Sequence, residues 1–458
     1  MNAVDPAAAF IEAAGVPLDS GHASGTLGRA ESILAEHPQV ASSSIYAAAV
    51  MGDDETVRRF LERDPAAAIA RGGPRDWDPL TYLCFSRYLR LDRARSSGFV
   101  RAAMALLDAG ASASTGWYEG NHQPTAEWES AIYGAAGVAH NAELTRLLLE
   151  RGADPNDEET PYHAPETFDN AALKVLVESG KLTQDSLATI LLRKTDWHDY
   201  EGIKWLLEHG VDPNRASRWG KTALHNAVLS DNRIEIIQVL VDHGADPTLV
   251  ASRPDRACIG SPGKSAIAIA ARRGRGDVLD LFENRGIPIA LDGVERLIAA
   301  CARNDAPAIR SIVNDEPQLV RETLTEGARL LAQFAGVGNT NGVGHLLDLG
   351  VNVAALFNEG DGYFDVAPNS MAIHVAAWRA NPGTVKLLID RGSPIDASDG
   401  EGRTPLVLAV KACVDSYWTE RRTPDSVDAL LRAGARANEV KIPSGYPEVD
   451  ELLRSYQR

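Results

Sequence analysis

Two short segments gather the residue types that acid–base chemistry needs. Residues 159–166, ETPYHAPE, set His163 among Tyr162, Glu159 and Glu166, and residues 195–202, TDWHDYEG, flank His198 with Asp196 and Asp199. A carboxylate beside an imidazole fixes its tautomer and raises its basicity. His163 with Glu166, and His198 with Asp199, are therefore candidate acid–base groups for a cofactor-free hydrolase or lyase. Aromatic residues collect near the same stretches and in apparent turns: Trp117, Tyr118, Tyr162, Trp197, Tyr200, Trp219, Tyr363 and Phe364. Rings with a polar end are typical anchors for a protein or peptide partner, so these eight form a candidate binding set, with packing beneath long loops as the competing role.

Other chemistries find little support. There is no His-Glu-x-x-His, no Cys-x-x-Cys and no aspartate-rich calcium loop, so a metal would need distant residues to converge, and no cofactor is expected. GSPGKS at 260–265 lacks the first glycine of a phosphate loop, whose place is taken by Cys258, and GVGNTNG at 336–342 falls between helical segments rather than after a strand. Acidic residues outnumber basic ones 63 to 46, and the net charge of -17 repels nucleic acid and anionic membranes. The four cysteines are widely spaced, the start MNAVDPAAAFIEAAG has no secretory pattern, and no apolar run reaches the roughly 18 residues of a membrane span. A cytoplasmic protein is expected, and oligomeric state has no signature.

The elements that must position these residues come from an internal repeat. GADPND at 152–157 recurs as GVDPN at 210–214, GADP at 244–247, GVN at 350–352 and GARAN at 434–438, each after a leucine-rich run such as RLLLERG or KWLLEHG. Between these marks stand GKTALHNAV at 220–228 and GRTPLVLAV at 402–410, with looser copies from Gly263 and Asn369. In the clearest copy Leu224, Ala227 and Val228 mark one helical face, Ile234, Ile237, Leu240 and Val241 a second, and Gly244 ends the unit where a left-handed residue is needed.

The two phrases resemble the ankyrin repeat. The resemblance runs from about Ser42 to Asn438, is most specific over residues 221–247, and decays near Ile298 and Leu330. It implies an all-α solenoid of about ten stacked helix-turn-helix units over residues 42–438, and recognition rather than catalysis. It also implies that His163, His225 and His374 occupy the motif position whose imidazole ties one turn to the next, while His198 matches no motif position. A helix pair cannot bury its apolar face alone, so residues 1–41 are read as a helical cap and residues 439–458 as a capping helix with Val449, Leu452 and Leu453 turned inward.

Helix-ending glycines recur 42 residues apart at 110 and 152, 244 and 286, 350 and 392, and 392 and 434. The ankyrin period is about 33. The surplus falls before the first helix at residues 114–127, 250–261 and 357–368, where the resemblance places the finger lining a concave surface, and around residues 418–424 in the last interval. The first insertion carries Trp117, Tyr118 and His122, the third Phe357, Tyr363 and Phe364. The expected function is a scaffold gripping a protein or peptide with a basic or mixed face, or a small-molecule ligand in the groove, with the acid–base enzyme as the alternative.

Overall fold

The computed structural model describes residues 5–18, 21–120, 126–252, 263–416 and 418–457. His122, Cys258 and most of the second insertion lie outside the described residues. The chain forms two compact units, residues 1–223 and 224–458.

Both units are built from helix pairs. In the first, Ile45–Met51 pairs with Asp54–Arg63, Pro79–Cys84 with Ser96–Asp108, Ala131–Tyr133 and its π-helical extension Gly134–Val138 with Ala142–Glu150, Glu159–His163 with Ala171–Glu178, and Gln184–Asp196 with Tyr200–Glu208. Helices Pro6–Ala14 and Gly28–Glu36 precede them. The second unit pairs Ala223–Leu229 with Ile234–Asp242, Ala266–Arg273 with Gly276–Asn284, Val294–Ala302 with Ala306–Asp315, Gly327–Gly336 with Thr340–Asp348, Ala372–Trp378 with Pro382–Asp390, and Pro405–Asp415 with Asp425–Arg432, before the final Pro447–Tyr456. The stretches near Ile298 and Leu330, where the motif fades, both fold as pairs, so the repeat outlasts its signature.

In most pairs first helices stack on first helices and second on second; in the second unit Val294–Ala302 also packs on Thr340–Asp348, and Ala266–Arg273 reaches Gly327–Gly336. This is an α-solenoid arrangement in which each pair covers its neighbour's apolar face. Small residues make the close stacking possible: Ala47, Ala48 and Ala49 are fully buried on the first helix of the first pair, and Ala376 and Ala377 on that of Ala372–Trp378. In the final helix Val449 and Leu453 are fully buried, while Leu452 is only partly so.

Two backbone devices repeat. The glycines ending second helices, Gly110, Gly152, Gly180, Gly210, Gly244, Gly286, Gly350, Gly392 and Gly434, all have positive φ, between +68° and +106°. A second left-handed residue makes the tight turn inside the pairs: Gly52, His140, His198, Asp231, Gly274, Asn304, Gly338 and Ala380. In five of these turns the next residue caps the second helix. Asp53, Asn141, Asp199, Asp305 and Asn339 each accept a hydrogen bond from the backbone N–H three residues on, satisfying a donor the helix start leaves open.

The only sheet among the described residues is the first insertion. Gly116–Glu119 and Glu127–Ser130 pair antiparallel, with Trp117 opposite Glu129 and Glu119 opposite Glu127. A β-carbon at Gly116 would stand 2.2 Å from the Glu129 carbonyl oxygen, so the hairpin requires glycine there. The third insertion folds back through Phe357 N–H to Ser370 O at 2.8 Å and Asp361 N–H to Val366 O at 2.9 Å.

Candidate functional site

Opposite residues of a hairpin share a face, and so do residues two apart. Trp117, Glu119, Glu127 and Glu129 therefore lie on one face of the first finger, and Tyr118 and Trp128 on the other. The buried face packs into an aromatic cluster. The Trp117 ring lies 5.0 Å from Trp77 and 5.9 Å from Phe85, and only 6% of the residue is exposed. Trp117 is thus part of the core rather than the surface anchor expected of it.

His22 enters this cluster from the other end of the unit. The segment carrying it is tied down by Val16 N–H to Phe85 O at 3.0 Å, by Arg75 Nη1 to Val16 O at 2.9 Å and by Arg87 Nη1 to Ala13 O at 3.0 Å. The imidazole sits edge-on to Trp117, centroids 5.6 Å apart, and its Nδ1 is 2.9 Å from the Tyr133 hydroxyl. Its Nε2 is 3.7 Å from Glu119 Oε2. Burial, with His163 nearby, pushes the His22 pKa down to about 4. Burial also lifts Glu129 to about 9, reinforced by Glu159, Glu119 and Glu127.

His163 lies next along this line, its ring 5.2 Å from that of Tyr133. It ends the short helix Glu159–His163, which stops before Pro165. Both nitrogens are engaged: Nδ1 donates to Glu166 Oε2 at 2.8 Å and Nε2 to Glu159 Oε2 at 3.1 Å. Burial alone would lower its pKa, but the two carboxylates outweigh it and raise the group to about 9. An imidazolium with both N–H groups committed has no lone pair to act as a base. Glu166 also binds Arg193, which reaches Asp196 as well. His163 and Glu166 are brought together as expected, but as a charge clamp. His225 and His374 show the simpler role implied for their motif position, their Nε2 atoms lying 2.9 Å from Leu249 O and Ala397 O.

His198 is exposed, with φ +51°, and fills the turn position shared by the other helix pairs. This corrects the expectation that it stands outside the repeat; the signal lies in backbone handedness, not in a conserved letter. Asp199 caps helix Tyr200–Glu208 and is buried against Lys194, whose Nζ is 2.7 Å away, and Asn170, whose Nδ2 is 2.8 Å away. Its carboxylate is spent on a cap and a buried ion pair.

The remaining aromatic candidates divide by exposure. Tyr162 and Trp219 are half-buried, rings 5.7 Å apart, with the Arg193 guanidinium 4.0 Å from the Tyr162 centroid and that of Arg218 4.8 Å from Trp219. Trp197 and Tyr200 are also half-buried. Tyr118 is 66% exposed and Tyr363 52% exposed. Phe364, expected on the surface, is buried beneath Arg379, whose guanidinium lies 3.9 Å from its ring and pairs with buried Asp231. Phe168, 67% exposed, was missed because it sits in no insertion. His22, Glu119, Glu129 and Tyr133 were missed too: the alternation in GWYE and EWES hints at the hairpin, but nothing local points to His22.

Comparison with known proteins adds the following. Residues 192–241 match the family model for ankyrin repeats (many copies). Over 287 residues, 59% of this chain, the sequence is 23% identical to the human transient receptor potential cation channel subfamily A member 1, and over 58 residues, 12% of this chain, it is 41% identical to the mouse 2-5A-dependent ribonuclease. The chain spans 24% and 8% of the lengths of those relatives. The crystal structure of the human ASB11 ankyrin repeat domain aligns with a TM-score of 0.25 at 20% identity, covering 60% of this chain and 98% of that one. Among the described residues no helix is long and apolar enough to cross a membrane.

Proposed function

We propose that this chain, which matches the ankyrin-repeat model over residues 192–241 and folds as stacked helix pairs, is a scaffold binding a protein or peptide partner through aromatic rings on its fingers and inter-helix turns. The observation that carries this reading is a recurring geometry. Each of three exposed rings is braced edge-to-face by a second: Tyr118 by Trp128 at 4.7 Å, Phe168 by Trp197 at 5.7 Å and Tyr363 by Phe364 at 4.8 Å. A braced ring offers large contact area while losing little side-chain entropy on binding. The half-buried Tyr162 and Trp219, with their arginines, extend the candidate surface in the first unit. Given the net charge of -17, the partner segment carries basic or mixed charge.

Display selection of peptides on the immobilised chain tests this, followed by affinity measurement on the Tyr118→Ala/Phe168→Ala variant. Selected peptides are expected to be enriched in basic residues and to bind the variant at least about tenfold more weakly, the effect of losing interface anchors. Peptides that bind both proteins equally, or a selection without enrichment, would refute the aromatic-anchor reading.

A further inference from the structure

We infer that His22, Glu119 and Glu129 form a binding site for a divalent transition-metal ion of the zinc class. One ligand atom from each residue lies within 4.8 Å of the other two, although the residues come from two distant segments of the first unit. Oxygen and nitrogen ligands of a shared zinc ion, at bonds of about 2.0–2.2 Å, stand roughly 3–4 Å apart. The 3.7 Å from His22 Nε2 to Glu119 Oε2 falls in that range, and Glu129 Oε2 lies 3.9 Å from Nδ1 of the same ring.

A second observation, independent of the clustering, points to an occupant. His22 is 8% exposed and Glu129 1% exposed, yet His22 Nε2 and Glu129 Oε2 are buried without a hydrogen-bond partner. Buried polar atoms are nearly always satisfied, because an unmet one forfeits its hydration with no return. A cation between them satisfies both at once. The surroundings follow metal-site logic. His22 Nδ1 lies 2.9 Å from the Tyr133 hydroxyl; with that hydroxyl accepting from Nδ1–H, the Nε2 lone pair on the Glu119 side is left for the ion. Trp117 Nε1 is also buried without a partner, and its ring lies 5.6 Å from that of His22.

The donor set narrows the ion. One imidazole and two carboxylates suit zinc, cobalt or manganese; copper(I) prefers sulfur, and calcium and magnesium prefer all-oxygen shells. Three protein ligands leave at least one position for water. Glu119, the least buried of the three, marks the entry side.

The test uses the untagged full chain, stripped with chelator and titrated with cobalt(II) while visible absorption is recorded. The expected result is one cobalt per chain with the intense bands of low coordination number, displaced by stoichiometric zinc. Glu119→Gln changes only the partly exposed ligand, and is expected to weaken zinc at least about tenfold in a chelator competition with an unchanged far-UV circular dichroism spectrum. His22→Gln and Glu129→Gln should abolish the bands. Cobalt that shows only the weak spectrum of its hexaaqua ion, or zinc affinity untouched by Glu119→Gln, would overturn the assignment.

Discussion

Consider replacing Asp199 by alanine. Lys194 is fully buried and its ammonium has two partners, Asp199 Oδ2 at 2.7 Å and the Thr167 carbonyl at 2.5 Å. Removing the carboxylate leaves a buried cation with one neutral acceptor, a change that costs about 3–5 kcal/mol in comparable pairs. The helix Tyr200–Glu208 also loses the bond from Gly202 N–H, worth about 1 kcal/mol, and Asn170 loses its acceptor. Asp199→Ala should therefore destabilise the first unit by about 4–6 kcal/mol. Lys194→Met in that background removes the stranded charge and should restore about 3 kcal/mol. Burial opposes ionisation of Asp199, but Lys194 outweighs it and holds the folded pKa below the unfolded value of about 3.9. The pair's contribution is thus intact above that pH and declines as pH falls through the lower folded pKa. Urea denaturation followed by tryptophan fluorescence and circular dichroism, on wild type, both single variants and the double variant, measures each term. A single variant within about 1 kcal/mol of wild type, or a double variant no better than Asp199→Ala, would refute the account.

Three further outcomes are expected. His163 has a folded pKa of about 9 against about 6.5 unfolded, so its contribution is full below pH 6.5 and lost as pH rises through 9. From pH 6 to 10 wild type should lose up to about 3 kcal/mol more stability than His163→Gln, the slope from Glu129, raised to about 9, being common to both. Ala380 holds a left-handed turn at φ +54°, so Ala380→Gly should raise urea stability by about 1 kcal/mol, and His198→Gly should do the same if its role is the turn. Gly116→Val cannot keep the 2.2 Å approach to Glu129 O; it should open the hairpin, seen as a red shift of Trp117 emission toward that of a solvated indole.

The helix pairs were legible because their signals are local. Gly244 at φ +89° and the buried Leu224, Ala227 and Val228 stand where the repeat phrase puts them. The pairs around Val294–Ala302 and Gly327–Gly336 keep the apolar period while losing the motif letters, so period was the better guide. The site was less legible. His163 and Glu166 are three residues apart and meet as spacing demands, yet their chemistry is set by Glu159 and Arg193, and Arg193 arrives from the next repeat. His22 meets Glu129 because Val16, bonded to the Phe85 carbonyl and the Arg75 guanidinium, holds the amino-terminal segment against the finger. His198 looked exceptional by sequence because a left-handed turn accepts Gly, Asn, Asp, His or Ala, and so leaves no single letter to read.

The glycines that close the second helices carry a stereochemical consequence. At Gly110, Gly152, Gly210, Gly244, Gly286, Gly392 and Gly434 an added β-carbon meets nothing within 4 Å, yet φ lies between +74° and +105°. The place an L side chain would occupy is open at these sites; what disfavours one is the positive φ alone. An amino acid of inverted configuration reverses that preference, since its favoured φ is positive. Ligation of a synthetic peptide beginning with D-alanine at position 434 would supply a methyl group in the configuration its φ of +98° favours. It would restrict the unfolded chain and stabilise the folded one by roughly 0.4–1 kcal/mol, where L-alanine at the same atom count would do the reverse. The array is punctuated at regular intervals by positions that a mirror-image residue fits better than any of the chiral residues encoded for it.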